Sequence, residues 1–421
     1  MSIASWSAPQ AKGFKARVVL PGSKSLTNRE LVLSALAAGP STLLDPLYSR
    51  DSQLMMEALK SLGTTFEKRG NQLIVTPGKL VGGAKIDCGL AGTVMRFIPP
   101  LAALASGETV FDGDAQARRR PMATTIDSLR KLGVKVQAES DGLPFSIVSD
   151  GFVKGGELSI DASASSQFVS GLLLAGARYQ QGLVIHHSGD SVPSLPHIDM
   201  TLVCLTQRGV SAERVGETSW QVMPGEIAGI EVEIEPDLSN AGPFLAAALV
   251  TGSQVSIPWP ETTTQVGDQF RRLLTEMGGE VEYKNKQLSV RGTGKILGIK
   301  ADLSEAGELV PTIAAIAALA ATPSELTGIS HLRGHETDRL AALVGEITSI
   351  GGKATELSDG IRIEPSKLTG GLWKTYEDHR MATAGAIIGL VVPGIEIQDI
   401  SVTSKTMPNF SELWLEMLES N

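Results

Sequence analysis

Two kinds of hydrophobic spacing alternate along this chain. Short runs of alternating apolar and polar residues, such as VEY at 281–283 and LSV at 288–290, predict two strands of a hairpin. Other stretches place apolar residues at helical spacing, as at positions 340, 343, 344 and 347. Five such stretches (55–62, 126–132, 202–208, 270–277 and 340–350) are each followed by glycine. Glycine there predicts a helix that ends in a left-handed cap.

A larger unit recurs six times along the chain. A short strand leads into a turn rich in Gly, Ser and Asp, and then into a helix rich in small residues. The turns start at 21, 87, 161, 237, 302 and 377, with the sequences PGSKSLTNR, DCGLAGT, DASASSQ, DLSNAG, DLSEAG and EDHRM. A second strand and helix and a hairpin follow, so each unit is β-α-β-α-β-β, and the sixth is cut short. The alternative is one large α/β sheet without true repeats.

Chain length predicts two domains, because a single hydrophobic core rarely grows past roughly 250–300 residues and this chain has 421. Six repeats then divide into three and three, with a boundary near Glu235. The two cysteines, Cys88 and Cys204, are too few for a disulfide framework, which favours a reducing cytoplasm. The longest apolar run, at 309–321, is shorter than the about 20 residues that a membrane span needs, and no signal peptide is expected.

Charge indicates which ligands the protein binds. The formal net charge is −9 without any basic block, so no nucleic-acid partner is expected. No metal-ligand spacing and no nucleotide-binding glycine motif occurs, so neither a metal nor a cofactor is expected. Cations nevertheless stand at or beside several such turns, where helix N-termini attract anions. They are Lys24, Arg29, Arg120, Arg339, Arg380 and Lys405. This predicts a site for several anionic groups, although any single turn could be an ordinary N-cap.

Two carboxylates accompany those cations. Glu308 stands at the start of the fifth repeat helix, and Glu336 follows His335 in a segment that predicts a helix opening at His335. Carboxylates in a cationic site can act as base and acid in proton transfer. The alternative is that they only compensate the positive ends of helices, a contribution of about 0.3–1 kcal/mol each.

Seven segments in chain order carry a family resemblance: LPGSKSLTNR at 20–29, AGTVMR at 91–96, RRPM at 119–122, SSQ at 165–167, ETDRL at 336–340, DHRMA at 378–382 and TSKT at 403–406. Over about residues 15–415 the chain resembles the EPSP synthase (3-phosphoshikimate 1-carboxyvinyltransferase) family. The resemblance implies an α/β fold of two domains, 22–235 and 1–21 with 236–421. Each would hold three β-α-β-α-β-β repeats around a pseudo-threefold axis, an inside-out α/β barrel.

The resemblance also implies a reaction and a set of site residues. The enolpyruvyl group of phosphoenolpyruvate would pass to the 5-hydroxyl of shikimate 3-phosphate through a tetrahedral intermediate, with release of phosphate. The first domain would mainly bind shikimate 3-phosphate, and the second would mainly bind phosphoenolpyruvate and carry the acid and base. Glu308 matches the base and Glu336 the acid. Lys24 is the third catalytic residue: it would touch both substrates and is the alternative to Glu336 as the proton donor to the methylene carbon. The shikimate 3-phosphate set is Lys24, Ser25, Arg29, Ser165, Ser166, Gln167, Ser194, Glu308 and His335, and the phosphoenolpyruvate set is Lys24, Gly92, Arg120, Gln167, Arg339, Arg380 and Lys405.

Departures from the common family pattern concern the shikimate side. The base is commonly Asp rather than Glu308, and the position of His335 is commonly Lys, so a fixed cation becomes one that titrates near neutrality. One rival is the sibling family that acts on a UDP-amino sugar, but its loop cysteine is missing from 112–120. The other rival is an inactive anion-binding homologue, which predicts erosion of the charged set. We expect an active monomeric transferase in the cytoplasm.

Overall fold

The computed structural model of the chain describes residues 5–420 and divides into two compact units. The first-half unit comprises Gly22–Glu235. The second-half unit comprises the chain up to Pro21 and the chain from Pro236 onward. Each unit is built around its own hydrophobic core.

The strands are short, and most of them contain three to six residues. They are β1 (Trp6–Ser7), β2 (Lys15–Arg17), β3 (Ser41–Leu44), β4 (Thr65–Arg69), β5 (Gln72–Thr76), β6 (Lys85–Asp87), β7 (Ser106–Asp112), β8 (Lys135–Ala138), β9 (Phe145–Asp150), β10 (Gly156–Ile160), β11 (Leu183–His187), β12 (Ala212–Gly216), β13 (Ser219–Val222), β14 (Glu231–Glu233), β15 (Gln254–Pro258), β16 (Gly279–Lys284), β17 (Gln287–Gly292), β18 (Lys300–Asp302), β19 (Ser324–Thr327), β20 (Lys353–Glu356), β21 (Ile361–Glu364), β22 (Gly371–Trp373) and β23 (Ile395–Ile397).

The α-helices alternate with these strands. They are α1 (Lys24–Leu36), α2 (Arg50–Ser61), α3 (Gly92–Ala102), α4 (Ala123–Lys131), α5 (Gln167–Gly176), α6 (Pro196–Gln207), α7 (Leu238–Thr251), α8 (Phe270–Glu276), α9 (Val310–Ala318), α10 (Arg339–Ser349), α11 (His379–Gly389) and α12 (Phe410–Glu419). Short 3₁₀ turns span Ala117–Arg119, Val266–Gln269, Gly307–Leu309, Ser330–Gly334 and Ile400–Lys405. Within the part of the chain that the structure describes, no helix is long and apolar enough to cross a membrane.

Each repeat is centred on a small mixed sheet, and the second, third and fifth repeats build theirs from their own four strands. A typical one is β6-β7-β9-β8, in which β6 and β7 are parallel and the other neighbours are antiparallel. The order in the chain, strand-helix-strand-helix-hairpin, confirms the predicted mixed α/β repeat, including the hairpin of β16 and β17. The first and fourth repeats exchange their first strands. Strand β2, which precedes α1 in the chain, pairs with β15 of the fourth repeat, whereas β14, which precedes α7, pairs with β3 of the first repeat.

Three helices form the centre of each unit. In the first-half unit α1, α3 and α5 contact one another in every pair, and α7, α9 and α11 do the same in the second-half unit. Small residues allow this close packing: a Cβ on Gly171 would lie 2.2 Å from the Arg96 carbonyl oxygen. Helices α5, α7 and α9 are apolar on nearly all sides, and a helix of this kind is stable only when it is surrounded by other parts of the protein. Because these helices are the first of their repeats, their N-terminal turns are the Gly/Ser/Asp turns of the sequence pattern.

The glycine caps predicted from the sequence are confirmed. The glycines at 63, 133, 209, 278 and 351 all have φ between +80° and +112°. The prediction of a helix opening at His335 is wrong. Asp338 accepts a hydrogen bond from the Ala341 amide at 3.1 Å, so it is the N-cap and α10 begins at Arg339. His335 and Glu336 lie in the irregular segment before it. Glu308 lies in a 3₁₀ turn directly before α9 rather than in an α-helix.

Candidate active site

The first turns of the three central helices of the first-half unit lie side by side. Asn28 of α1 donates from Nδ2 to Thr93 Oγ1 of α3 at 2.7 Å. Arg29 of α1 donates from Nη2 to Ser170 Oγ of α5 at 3.4 Å. The N-termini of the three helices, which carry the positive ends of the helix dipoles, therefore lie close together. The first turns of α1, α3 and α5 contain no acidic residue that would neutralise them.

The start of α1 presents Lys24 and Ser25. Ser23 caps the helix, and Lys24 Nζ lies 3.6 Å from Asp51 Oδ2 while its side chain stays 20% exposed. Arg29 is different, since it is 1% exposed and donates to Thr201 Oγ1 at 2.8 Å. Two carbonyl oxygens, of His197 and Ser25, accept from it at 2.7 and 2.9 Å. Its guanidinium thus ties α1 to α6.

Three residues predicted to bind phosphoenolpyruvate meet at the start of α3. A Cβ on Gly92 would lie 2.9 Å from Gln167 Oε1 and 3.0 Å from Arg120 Nη2, so any larger residue there would require the ends of these two side chains to shift. Arg120 donates from Nη1 to the Leu90 carbonyl at 3.1 Å and forms no salt bridge with the described residues. Its Nε and Gln167 Oε1 are buried polar atoms without a hydrogen-bond partner. Such atoms are costly unless a ligand completes them.

The serines of the predicted set lie at a helix N-terminus and in a turn. Ser166 is the N-cap of α5 and is buried, and Ser165 Oγ accepts from the Gln167 amide at 3.2 Å. Ser194 is half-buried and has a φ of +54°, which is rare for a residue with a side chain. Its carbonyl accepts from the His197 amide at 3.0 Å. Backbone conformations of this kind concentrate at functional sites.

In the second-half unit, Glu336 lies between two cations. Its Oε1 accepts from Lys405 Nζ at 2.6 Å, and its Oε2 accepts from Arg339 Nη2 at 3.0 Å. All three side chains are less than a tenth exposed. Buried cations that share one carboxylate retain attraction for a further anion.

Arg339 is held by a second carboxylate that the sequence interpretation missed. Asp378 accepts from Arg339 Nε at 2.7 Å and from Nη2 at 3.2 Å, and it also caps α11. Burial alone would lower the pKa of Arg339, but Asp378, Glu336 and Glu308 outweigh it, and the net shift is upward. The sequence does show Asp378 directly before the helix that begins with His379 and Arg380, and this position is typical of a helix N-cap. Nothing in the sequence paired it with Arg339.

Arg380 and the histidines complete this cluster. Arg380 donates to Ser239 Oγ of α7 at 3.1 Å and has no salt bridge with a described carboxylate. His335 Nδ1 lies 3.2 Å from Arg339 Nη1. The His331 ring lies 5.7 Å from that of His335, and its Nε2 would be 2.6 Å from a Cβ on Gly307, the neighbour of Glu308. Burial, with Arg339 nearby, lowers the pKa of His331 to about 4.

The cysteines show no sign of reactivity. Cys88 and Cys204 are buried free thiols, and burial raises the pKa of Cys88 to about 12. A thiol with a raised pKa is a poor nucleophile. Among residues 5–420 no group of three or more His, Cys, Asp or Glu side chains is placed to hold a metal ion.

Known proteins are similar to this chain over nearly its whole length. The sequence profile of EPSP synthase (3-phosphoshikimate 1-carboxyvinyltransferase) matches residues 9–414. A 3-phosphoshikimate 1-carboxyvinyltransferase from Kocuria rhizophila is 53% identical over 430 residues, which cover 99% of this chain and 97% of that protein.

Solved structures share the fold. An EPSP synthase structure from Acinetobacter baumannii has a TM-score of 0.79 at 24% identity and covers 98% of this chain and 97% of its own. The enolpyruvyl transferase NikO from Streptomyces tendae has a TM-score of 0.77 at 14% identity, with 97% and 96% covered. With a family match over nearly the whole chain and a relative at 53% identity, the chain belongs to the EPSP synthase (3-phosphoshikimate 1-carboxyvinyltransferase) family.

Proposed function

We propose that the protein transfers the enolpyruvyl group of phosphoenolpyruvate to the 5-hydroxyl of shikimate 3-phosphate, in aromatic amino acid biosynthesis. The observation that carries the proposal is the buried cluster in which Glu336 lies between Lys405 and Arg339. It combines an acid with cations that can hold a phosphate or a carboxylate. Both substrates carry these two groups.

The proposed phosphoenolpyruvate set includes two arginines that are available for an anion. These are Arg120 and Arg380, and neither forms a salt bridge with a described carboxylate. Gly92 and Gln167 would let the ligand approach the start of α3 closely. Lys405 and Arg339 would share their charge between Glu336 and the ligand, and Lys24 would touch both substrates.

Shikimate 3-phosphate would mainly use the first-half unit. Lys24 and Ser25, together with Ser165, Ser166, Gln167 and Ser194, would hold its phosphate and hydroxyl groups at the positive ends of α1 and α5. Arg29 would act from its buried position beside Ser25. His335 and Glu308 are the remaining members of the proposed shikimate 3-phosphate set.

The transfer would proceed by addition and elimination. Glu308 takes the proton of the 5-hydroxyl, the oxygen bonds to C2 of phosphoenolpyruvate, and C3 receives a proton from Glu336. The resulting tetrahedral intermediate then loses one proton from C3 to the Glu336 carboxylate, and the proton held by Glu308 passes to the departing phosphate, so both carboxyl groups return to their starting states. The double bond between C2 and C3 re-forms as the bond between C2 and the phosphate oxygen breaks, and phosphate leaves.

The cation cluster explains how Glu336 could serve as an acid. A carboxylate between two cations favours its ionised form. When the anionic substrate binds, Lys405 and Arg339 divide their attraction between it and Glu336. The protonated form of Glu336 then becomes less unfavourable. Substrate binding would thereby prepare the proton donor.

A phosphate-release assay tests the reaction. We expect release from phosphoenolpyruvate in the presence of shikimate 3-phosphate and none with UDP-N-acetylglucosamine. Release with the UDP-sugar alone would assign the chain to the sibling activity, and release with neither would indicate an inactive homologue. Product identity is checked by the mass of the enolpyruvyl ether.

Matched variants test the phosphoenolpyruvate set. Arg120→Ala should raise the KM for phosphoenolpyruvate about ten- to a hundredfold, since a charge-assisted contact contributes roughly 1.5–3 kcal/mol. Arg119→Ala removes an exposed neighbouring arginine and should change neither KM. Equal effects of Arg120→Ala on both substrates would refute its assignment.

We further propose that the enzyme is a cytoplasmic monomer. Free buried thiols at Cys88 and Cys204 are what a reducing compartment maintains. Light scattering should give a mass near 44.3 kDa at micromolar concentration. A mass twice that value would refute the monomer.

A further inference from the structure

The loop that leads into α11 has an unusual backbone. Tyr376 and Glu377 are consecutive and have φ values of +53° and +57°. Residues with a Cβ rarely adopt this left-handed conformation. Two in succession are typical of a type I′ turn, which is closed here by the Asp378 amide donating to the Thr375 carbonyl at 2.8 Å and whose position needs support from its surroundings. The loop ends at Asp378, which caps α11 and binds Arg339. The strained backbone is thus directly adjacent to the anion-binding cluster.

Glu346 of α10 provides that support. It is 3% exposed, and its Oε1 accepts from the Tyr376 hydroxyl at 2.6 Å. Its Oε2 accepts from the Lys374 backbone amide at 2.9 Å. No salt bridge joins Glu346 to a cation of the described residues, so these two bonds compensate a buried carboxylate. One side chain therefore holds both the beginning and the middle of the loop.

The position of Glu346 on its helix is equally informative. It follows Arg339 by seven residues, which is two helical turns and places both on one face of α10. That face holds the loop at two points: Arg339 binds Asp378, and Glu346 binds Tyr376. A helix is stiff, so the two contacts together set where the loop enters α11. They thereby set where Arg380 stands, since its amide donates to Asp378 Oδ1 at 2.8 Å.

We propose that Glu346 and Tyr376 are positioning residues for phosphoenolpyruvate binding. They hold the left-handed loop so that Asp378 orients Arg339 and α11 presents Arg380. This inference rests on the proposed function, in which Arg339 and Arg380 bind phosphoenolpyruvate. Neither Glu346 nor Tyr376 needs to touch a substrate.

The state of the tyrosine agrees with this role. Burial, with Glu346 beside it, raises the pKa of Tyr376 to about 12. Its hydroxyl therefore remains a hydrogen-bond donor at neutral pH and cannot serve as a base. Tyr376 as a whole residue is 39% exposed, so loss of the hydroxyl should not disturb the core.

Steady-state kinetics of Tyr376→Phe tests the proposal. The KM for phosphoenolpyruvate should rise about three- to tenfold, whereas the KM for shikimate 3-phosphate and kcat should stay within about twofold. Tyr283→Phe is the matched control on β16 of the same unit and should leave all three unchanged. A KM for phosphoenolpyruvate within twofold of the parent would overturn the proposal, as would an equal rise in both KM values.

A coupling experiment separates positioning from a general loss of stability. Glu346→Ala removes both acceptors and should raise the KM for phosphoenolpyruvate more than Glu346→Gln, which keeps one. Adding Tyr376→Phe to Glu346→Ala should raise it no further, because the bond is already lost. A multiplicative rise in the double variant would overturn the proposal.

One further variant distinguishes failure of this inference from failure of the proposed function. Arg380→Ala is measured in the same assay and should raise the KM for phosphoenolpyruvate more than Tyr376→Phe does. If Arg380→Ala raises it and Tyr376→Phe does not, only the positioning role is overturned. If neither variant does, the assignment of Arg380 to phosphoenolpyruvate is overturned as well.

Discussion

Replacing Glu336 with glutamine should separate proton transfer from substrate binding. The change removes the carboxylate that accepts from Lys405 at 2.6 Å and from Arg339 at 3.0 Å. Opposite unit charges about 4 Å apart attract each other by about 4 kcal/mol at an effective dielectric constant near 20, and both cations here lie closer to the carboxylate than that. In Glu336→Gln that attraction becomes available to an incoming anion. Even a part of it, about 1.4 kcal/mol, would tighten phosphoenolpyruvate binding tenfold.

Turnover should change in the opposite direction. A missing general acid lowers kcat by about 10²–10⁴-fold. We therefore expect Glu336→Gln to combine a large loss of kcat with a KM for phosphoenolpyruvate that is unchanged or up to about tenfold lower. The assay is phosphate release with both substrates varied. Glu336→Asp keeps the charge one bond length back and should retain more activity than Glu336→Gln.

Stability needs a separate measurement. The glutamine amide has one acceptor and one donor, so it can bond only one of Lys405 and Arg339 and faces the other with an N–H group. We expect a destabilisation of roughly 1.5–3 kcal/mol that inorganic phosphate partly restores in thermal unfolding. A KM for phosphoenolpyruvate that rises tenfold or more while kcat stays near the parent value would refute the reasoning. Glu336 would then only orient the two cations.

Three further predictions follow from the same structure. Glu308→Gln should lower kcat about 10²–10⁴-fold with little change in shikimate 3-phosphate affinity, and near-parent turnover would show that it is no base. Gly92→Ala should raise the KM for phosphoenolpyruvate, because its Cβ meets Arg120, while Gly345→Ala, where nothing lies within 4 Å, leaves kinetics unchanged. The pKa of His331 is lower when folded (about 4) than its ordinary 6.5, so the unfolded chain binds the extra proton and stability falls as pH drops from 6.5 to 4. Urea unfolding of His331→Asn should show a fall in the free energy of unfolding between pH 6.5 and 4 that is smaller than in the parent by up to about 3 kcal/mol. An equal fall in both proteins would refute the role of His331.

The segment around Arg120 shows how far sequence interpretation could go. Three consecutive arginines predicted cationic character, and the structure separates them. Arg118 pairs with Asp112 through two bonds of 2.9 and 2.8 Å, Arg119 is exposed, and Arg120 turns towards Gly92. The side chains themselves do not distinguish the three arginines, and only the family resemblance selected Arg120 from the sequence. Their roles depend on where the 3₁₀ turn before Arg120 directs each one.

The segment before α10 shows why a prediction failed. The spacing of leucines and isoleucines after position 340 correctly indicated a helix, but periodicity does not locate its first residue. The first residue of the helix is set by the N-cap, and here Asp338 provides the cap because its side chain accepts from the Ala341 amide. As a result Glu336 lies in an irregular segment, where its carboxylate can reach both Lys405 and Arg339.

The sequence by itself determined what is encoded within about ten neighbouring residues. The repeat order, the glycine helix ends and the supply of cations at helix starts all follow from local spacing and composition. Tertiary structure alone decided the pairings: Arg339 with Asp378 across 39 positions, Glu336 with Lys405 across 69, and β2 with a sheet that begins more than two hundred residues later. The physical reason is that local patterns depend on backbone geometry, which neighbours share. The partner of a buried charge depends on which distant segments the packed helices bring within about 3 Å.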